Sequence, residues 1–352
     1  MRQQRWIIAG EWQFEHYERA AADALTRLGC AVQAFPWAPR YTSFIGRIER
    51  WATVAGPATR HMRAALIAAA ERADADVVLV WRGTHIDAAT VHALRGDGRR
   101  RVIAYNNDDP FSPAYATGPL QHRRLWRTFL QAVPAYDAHL CYRPRNADEL
   151  RAAGAREVRV LMPWFVPGLD RALPPAAGEE ARWRSDVVFI GHFEDDGRRD
   201  AMLALCEAGV SLRLHGTGWD AETLGPLARF VGDVQPVRGD DYRKALSNAR
   251  IALCFLSKLN RDRYTRRNFE IPACGTAMVS ERTPELQQLF EEGVDAAFFS
   301  SPPELVQVVQ SLLADPARCD AMAASGAHRV EVDGHSVDAR MHDLLAWMES
   351  VP

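Results

Sequence analysis

The 352-residue sequence lacks several features that would define its class at once. It has no CxxC pair, no apolar run of about 18 residues, no internal repeat and no low-complexity segment. The apolar run near the start is too short for a signal peptide core, so we expect neither export by that route nor a membrane-spanning segment. Six cysteines fall mostly in apolar segments, as reduced core thiols do, which predicts a cytoplasmic protein: Cys30, Cys141, Cys206, Cys254, Cys274 and Cys319.

Excess charge of one sign is also missing. The formal net charge is −2, which gives no electrostatic reason to expect a nucleic acid partner. No cluster of histidine, cysteine and aspartate has metal-ligand spacing, so we expect no dedicated metal site and no bound cofactor. What the chain does have is 47% hydrophobic residues and a length that favours two domains with sizeable cores.

Short apolar runs alternate with helical patterns in the first half of the chain, which is typical of βαβ units and a parallel sheet. A helix is predicted from Phe14 to Leu28 and ends at Gly29. We predict one Rossmann-like domain over residues 1–162. Its predicted strands are Arg5–Gly10, Asp76–Trp81, Arg101–Tyr105, Ala138–Tyr142 and Val158–Met162.

Residues 163–184 are dense in proline, glycine and charge, which indicates a connection between domains. A second Rossmann-like domain with a terminal helix is predicted over residues 185–352. Its predicted strands are Asp186–Ile190, Val210–Leu214, Ile251–Leu256 and Thr276–Ser280.

The most informative segment is NRDRYTRRNFEIPACGTAM, which follows the apolar run IALCFL. Asp262 and Glu270 stand eight positions apart there, with Arg266 and Arg267 between them. At the carboxyl end of a strand, exposed N–H groups of a helix start and guanidinium groups favour a diphosphate. A carboxylate one turn further on suits ribose hydroxyls, so the segment predicts a site for a nucleotide diphosphate.

The alternative is an amphipathic helix with a solvated arginine face. Pro272 and Gly275 disfavour a helix interior by roughly 1 to 3 kcal/mol each, so helix formation alone does not explain them. Tight packing of a helix start against a ligand would explain both residues.

The block RRNFEIPACGTAMVSERTPEL, followed by FEEGVDAAFF, resembles the donor-site block of glycosyltransferases related to spore maturation protein CgeB. The resemblance continues through SDVVFIGHFEDDGRRDAM, RLHGTGW and HSVDARMHDLL, and more weakly YNNDDPFSP. It implies a GT-B fold, with two Rossmann-like domains facing each other across a cleft, and transfer of a sugar from a nucleotide-diphosphate donor. Many such enzymes have two glutamates separated by seven residues; Asp262 replaces the first here and Glu270 matches the second. That spacing resembles retaining transferases.

The resemblance assigns donor-binding roles to several residues. Glu270 would bind the ribose, and Lys258 with Arg267 resembles the pair that neutralises the leaving diphosphate in metal-independent GT-B enzymes. A helix dipole would assist. Further donor-side candidates at strand ends are Gly191, Arg198 with its neighbour Arg199, and Gly216, for which surface arginines and a glycine-rich turn are the ordinary alternatives.

The acceptor side is assigned to the first domain. Asp108 and Asp109, in NNDDPFSP after a strand, are candidates to bind acceptor hydroxyls or act as general base, although turn chemistry also explains them. His85 is a second catalytic candidate, at the cleft edge; the alternative is that this loop histidine is structural. Gly10 would give the acceptor close access to the backbone, unless a tight turn demands it.

Two further questions stay open. The segment from Tyr41 to Ala70 is basic and partly amphipathic, and would suit an anionic membrane or an acceptor chain, but a solvated helical face is preferred. A nucleotide-sugar 2-epimerase and a noncatalytic nucleotide-sugar-binding protein share the predicted architecture. The donor base, the sugar, the acceptor and the oligomeric state do not follow from the sequence.

Overall fold

The computed structural model describes residues 3–118 and 120–350. The chain forms two compact units, of which the second spans Trp164–Ser336 and the first contains the residues before it together with the final helix. Each unit holds one parallel sheet with helices connecting its strands. The predicted α/β fold of two Rossmann-like domains is confirmed.

The sheet of the N-terminal unit has the order β2-β1-β3-β4-β5-β6, with every pairing parallel. Its inner strands are almost continuously apolar because both faces are buried. The strands are β1 Arg5–Gly10, β2 Ala31–Pro36, β3 Val77–Trp81, β4 Arg101–Asn106, β5 Ala138–Cys141 and β6 Glu157–Val160. The helices are α1 Ala20–Arg27, α2 Phe44–Ala52, α3 Pro57–Arg72, α4 Ala88–Arg95, α5 Pro113–Thr117, α6 Leu120–Leu125, α7 Arg127–Ala132 and α8 Pro144–Ala152.

The sheet of the C-terminal unit has the order β11-β10-β9-β7-β8 and is also wholly parallel. Its core joins the strands to the flanking helices in one cluster that includes Phe189, Leu253 and Val279. The strands are β7 Ser185–Ile190, β8 Leu212–His215, β9 Ala249–Cys254, β10 Ala277–Glu281 and β11 Ala297–Phe299. The helices are α9 Glu180–Trp183, α10 Arg198–Glu207, α11 Ala221–Leu224, α12 Ala228–Val231, α13 Gly239–Ser247, α14 Arg267–Ala273, α15 Pro284–Leu289, α16 Pro302–Ala314 and α17 Pro316–Val332.

The last helix, α18 Val337–Ser350, belongs to the N-terminal unit, although the sequence placed it in the second domain. It packs against α1, where Arg27 and Asp338 form an ion pair at 2.7 Å. Residues 164–184, predicted as a connection, belong to the C-terminal unit. Trp164 and Trp183 are buried there, and Glu179 pairs with Lys244 at 2.7 Å. Both assignments depend on contacts between residues that are distant in the sequence, which local sequence patterns do not reveal.

The six cysteines are buried and none forms a disulfide. Burial raises the pKa of the Cys254 thiol, at the end of β9, to about 12. Within the described residues, no helix combines the length and the apolar character needed to cross a bilayer.

Candidate functional site

The informative segment forms the loop after β9 and the helix α14. Asn268 fixes its position: it is fully buried, its Oδ1 accepts from the N–H of Thr265 at 2.7 Å, and its Nδ2 donates to Ser280 Oγ of β10 at 3.0 Å. The start of α14 is therefore tied to the carboxyl half of the C-terminal sheet, as predicted. The sequence analysis did not single out Asn268, whose position beside Glu270 was its only signal.

The two arginines of the segment have different surroundings. Arg266 is buried between two carboxylates: it pairs with Asp170 and, at 2.5 Å, with Glu270 Oε1. Burial raises the pKa of the Asp170 carboxyl to about 6, with Arg266 opposing the rise and Glu270 adding to it. Arg266 thus holds residues 163–184 against α14, and its charge is compensated inside the unit.

Arg267, by contrast, is half-buried at the first position of α14. It lies close enough to the Cys254 thiol at the end of β9 to influence its pKa, and so does Asp262. Lys258, on the same loop, is 59% exposed and pairs with Glu281 Oε1 at 2.9 Å. Exposed ion pairs of this kind contribute little stability, so a ligand anion can compete for the ammonium group.

The backbone at the start of α14 differs from the expectation. The N–H of Asn268 donates to the carbonyl of Thr265 at 3.1 Å, and those of Phe269 and Glu270 donate to Arg266 at 3.0 Å. The helix has seven residues, so its dipole is also small. The expectation that exposed N–H groups bind the diphosphate is therefore wrong for these three groups, which already donate to backbone carbonyls. Positive charge for a diphosphate at this position comes from side chains instead.

Pro272 and Gly275 are explained by the chain itself. Gly275 follows the end of α14 with φ +73°, the left-handed conformation that glycine adopts without strain. Pro272 lies in the last turn, where its Cβ would be 3.4 Å from a Cβ built on Gly326 of α17. Close helix packing and a helix terminus account for both residues without a ligand.

Gly191 and Gly216 approach each other beyond the ends of β7 and β8. Gly216 has φ +152°, and a Cβ there would lie 1.8 Å from the carbonyl oxygen of Gly191. That same oxygen accepts from Trp219 Nε1 at 2.8 Å. Contact between the two strand ends is sufficient reason for the glycines, and their donor-binding role stays a prediction.

Arg198 is buried at the start of α10, beside the loop after β7, contrary to its expected position facing a donor. Its guanidinium binds Asp196 through Nε at 2.8 Å and Nη2 at 2.6 Å, and donates to the carbonyl of His192 at 2.8 Å. All three contacts stabilise the loop. Arg198 therefore does not present its charge to a ligand, while the adjacent Arg199 is partly exposed and pairs with Asp200.

A polar network that the sequence analysis missed links the loops after β7 and β9. Ser257 Oγ donates to Glu194 Oε2 at 2.9 Å, and His192 Nε2 lies 2.8 Å from Glu194 Oε1. Burial opposes ionisation, but hydrogen bonds from His192 and Ser257 and the charge of Arg198 hold the pKa of Glu194 below its usual value. The run GHFED directly after a strand was the available signal.

At the carboxyl edge of the N-terminal sheet, the structure separates the two aspartates. Asp108 is partly exposed and pairs with Arg82 Nε at 2.9 Å. Asp109 is fully buried, and its Oδ1 accepts from the N–H of Phe111 at 3.0 Å and from Asn146 Nδ2 at 2.8 Å. Asp109 therefore stabilises the turn, as the alternative interpretation held, and Asp108 is the acceptor-side candidate.

Two residues of this edge have left-handed backbone conformations that are uncommon without glycine. They are Trp12, at φ +57° after β1, and Arg82, at φ +66° after β3. Such strain concentrates at functional sites. The position of both residues just after strand ends was the only sign of this strain in the sequence.

The space beside the Gly10 backbone, where access for the acceptor was predicted, is filled by the side chain of Glu18. The Glu18 Oε1 atom accepts from the N–H groups of Glu11 at 3.0 Å and Trp12 at 3.4 Å, and it would lie 2.4 Å from a Cβ on Gly10. Burial raises the pKa of Glu18. Gly10 is thus required by an internal carboxylate, which explains it without an acceptor.

His85 is buried rather than exposed at an edge. Its ring lies near Tyr41 and Trp37, and burial lowers its pKa to about 4, so the imidazole is neutral at physiological pH. Its carbonyl accepts from Arg63 Nε at 2.7 Å. The structural interpretation of His85 is the better supported one. Among the described residues, no group of three or more potential ligands from histidine, cysteine, aspartate and glutamate could hold a metal ion.

Comparison with protein families gives one match. A family described as glycosyl transferase-like matches residues 198–346, a little less than half of the chain. The matched region contains the loop after β9 and α14, and it bears out the prediction of a glycosyltransferase. No curated protein sequence matched, and the narrower relationship to CgeB-related proteins stays a prediction.

Solved structures resemble the whole chain at low identity. Sucrose-phosphate synthase from Thermosynechococcus elongatus has a TM-score of 0.73 at 13% identity, covering 99% of this chain and 100% of that one. HepE from Anabaena in complex with UDP-glucose has 0.68 at 12%, with the same coverage. The UDP-forming α,α-trehalose-phosphate synthase from Burkholderia xenovorans has 0.65 at 14%, covering 99% of both chains. These similarities confirm the GT-B fold.

Proposed function

We propose that this protein is a glycosyltransferase that moves a sugar from a nucleotide-diphosphate donor to an acceptor hydroxyl. The observation that carries the proposal is the family match over residues 198–346, because it contains Lys258, Arg267 and Glu270. A fold shared with a UDP-forming α,α-trehalose-phosphate synthase, and with a protein solved with UDP-glucose, supports it further.

The donor is assigned to the carboxyl edge of the C-terminal sheet. Lys258, which is exposed, and Arg267, which is half-buried, are the two cations of this loop and helix that the resemblance pairs for a diphosphate. Glu270, which the resemblance assigns to the ribose, follows one turn after Arg267, where it is buried and paired with Arg266. Arg266 acts here by positioning Glu270.

The reaction breaks the bond between the anomeric carbon and the diphosphate oxygen, and forms a bond from that carbon to the acceptor oxygen. The nucleoside diphosphate leaves with the bonding electron pair, and Lys258 and Arg267 stabilise its charge without a metal or another cofactor. The acceptor proton passes to a base, for which Asp108 is the candidate. The spacing of Asp262 and Glu270 supports retention of the anomeric configuration.

Nucleotide recognition is tested first by thermal unfolding with UDP, GDP, dTDP and CDP. A ligand that binds only the folded state raises the unfolding temperature. UDP is expected to give the largest shift, since the structural relatives are associated with UDP. No shift with any diphosphate would contradict the proposal.

Turnover then separates three functions. Incubation of the matching nucleotide sugar with a panel of acceptors, followed by NMR, should give a glycosylated product whose anomeric coupling reports the stereochemistry. Epimerisation without an acceptor would identify the epimerase instead. Binding without any reaction across the panel would favour a noncatalytic nucleotide-sugar-binding protein.

A further inference from the structure

Helix α2 is oriented with its apolar side outwards. Phe44, Ile45, Ile48 and Trp51 share one side of the helix and are 70%, 64%, 45% and 68% exposed. We call these four residues the α2 apolar face. Helices on a protein surface normally turn such a stripe towards the core, so an exposed stripe of large side chains indicates a binding surface.

Polar contacts fix this orientation. Glu49, one turn after Ile45, is buried and accepts from the N–H groups of Ala58 at 3.3 Å and Thr59 at 2.8 Å, at the start of α3. A Cβ on Gly56 would lie 2.2 Å from Glu49 Oε1, so the carboxylate is tightly enclosed. Rotation of α2 to bury the apolar face would leave Glu49 and these N–H groups without their partners, which is costly.

The exposed charges of the segments around the α2 apolar face are mostly basic, although Arg50 of α2 pairs with Glu11. Arg40, Arg47 and Arg60 are exposed near it, and Glu49 is the sole acidic residue between positions 38 and 70. Helix α6, which packs beside α2, adds exposed Leu120, Arg123 and Arg124. Residues 110–136 contain no aspartate or glutamate, although the whole chain has a net charge of −2. The basic charge is therefore concentrated where the apolar side chains are exposed.

We propose that the α2 apolar face inserts into the interfacial layer of a bilayer containing anionic lipids. Large apolar side chains bordered by arginine, with an aromatic ring among them, are the combination by which helices lie in a membrane interface. Arg47 and its neighbours contact the lipid phosphates, each adding electrostatic attraction. This proposal replaces the solvated helical face that the sequence favoured, because the exposed side of α2 is apolar.

A second copy of the chain fits this surface less well. In a symmetric dimer the same patch would face itself and bring the arginines of both copies together, and like charges across an interface are unfavourable. Arg50 of α2 pairs with Glu11 after β1, so helix α2 lies beside the carboxyl edge of the N-terminal sheet. A membrane at this position would bring lipid-linked hydroxyls near the proposed acceptor side.

The test is sedimentation of the full chain with vesicles of phosphatidylcholine alone or mixed with phosphatidylglycerol. The wild type should bind the mixed vesicles, more weakly at high salt because screening reduces the attraction. The affinity of the variant Phe44→Ser/Trp51→Ser for the mixed vesicles should be lower by about tenfold or more, since this variant loses two inserted aromatic side chains. Phe230→Ser, which removes a 42% exposed phenylalanine from the C-terminal unit, is the matched control and should bind like the wild type.

Charge is tested separately with Arg47→Gln, which should weaken binding to the mixed vesicles roughly fivefold while leaving the apolar face intact. Failure of the wild type to bind mixed vesicles, or equal binding by Phe44→Ser/Trp51→Ser, would overturn the proposal. A dimer in light scattering that this double variant abolishes would assign the surface to a second copy. Nucleotide affinity should be the same in all variants, so this proposal fails independently of the glycosyltransferase proposal.

Discussion

The carboxyl edges of the two sheets differ in how their charges are compensated. In the C-terminal unit, Lys258 is exposed and Arg267 half-buried, while Arg266 carries the internal ion pairs. In the N-terminal unit, polar groups bond mainly to one another: Asp109 within its turn and Glu18 under the loop after β1. An exposed cation retains its charge for a ligand, whereas a buried and paired group stabilises the fold.

Residue type at a strand end is therefore an incomplete guide to function. Asp108 and Asp109 are neighbours of the same type, yet one pairs with Arg82 near the surface and the other is fully buried. The same holds for Arg266 and Arg267. The first two tests below therefore compare a variant of each candidate residue with a variant of a nearby residue of the same type.

The largest expected effect is on the acceptor side. Asp108→Asn should reduce transfer by roughly 10²-fold or more if Asp108 is the positioned base, while nucleotide affinity stays near that of the wild type. Asp109→Asn should instead lower the free energy of unfolding by about 1.5 to 3 kcal/mol, because its buried hydrogen bonds involve a carboxylate. Steady-state kinetics measures the loss of transfer in Asp108→Asn, and denaturant unfolding measures the loss of stability in Asp109→Asn. Full activity of Asp108→Asn would remove that residue from the site.

On the donor side, Arg267→Ala should weaken binding of the nucleoside diphosphate by about 1.5 to 3 kcal/mol, the range for hydrogen bonds to charged groups. Arg263→Ala is the matched control, since Arg263 is exposed on the same segment and pairs with Glu285 at 2.9 Å. Calorimetry should show an affinity near wild type for the control. Equal affinities of both variants would exclude Arg267 from the diphosphate site.

A smaller effect is expected on the pH dependence of stability. Burial raises the folded-state pKa of Asp170 to about 6, above its value in the unfolded chain, so the folded protein retains a proton that the unfolded chain releases. Stability from this group is complete at low pH and decreases as the pH rises from about 4 to 6. Asp170→Asn should remove this decrease, on the order of 1 kcal/mol, in denaturant unfolding across that range. Parallel profiles for the two proteins would contradict the pKa assignment.

The sequence predicted the long apolar strands well because burial on both faces leaves a continuous signal, as in β3 and β7. It missed β2, in which five of the six residues are exposed or partly exposed at a sheet edge, and β11, which has three residues. Both give weak local patterns. Edge strands of this kind depend on pairing with a neighbour that the local sequence does not specify.

The candidate site could be predicted in position but only partly in detail. The segment from Asn260 to Met278 was correctly placed at the end of a strand. The burial of Arg266 depends on Asp170, 96 positions away, and the need for glycine at position 10 depends on Glu18. Interactions between separate segments decide these roles, so residue spacing alone could not supply them.

The central claim, that the donor binds at the carboxyl edge of the C-terminal sheet, is tested most directly by amide hydrogen exchange. The wild type is measured with and without a saturating concentration of the nucleoside diphosphate that gives the largest thermal shift. The account predicts slower exchange in the loop after β9 and in α14, residues 255–273, with little change in residues 106–113 of the N-terminal unit. Protection confined to residues 106–113, with none in 255–273, would contradict it.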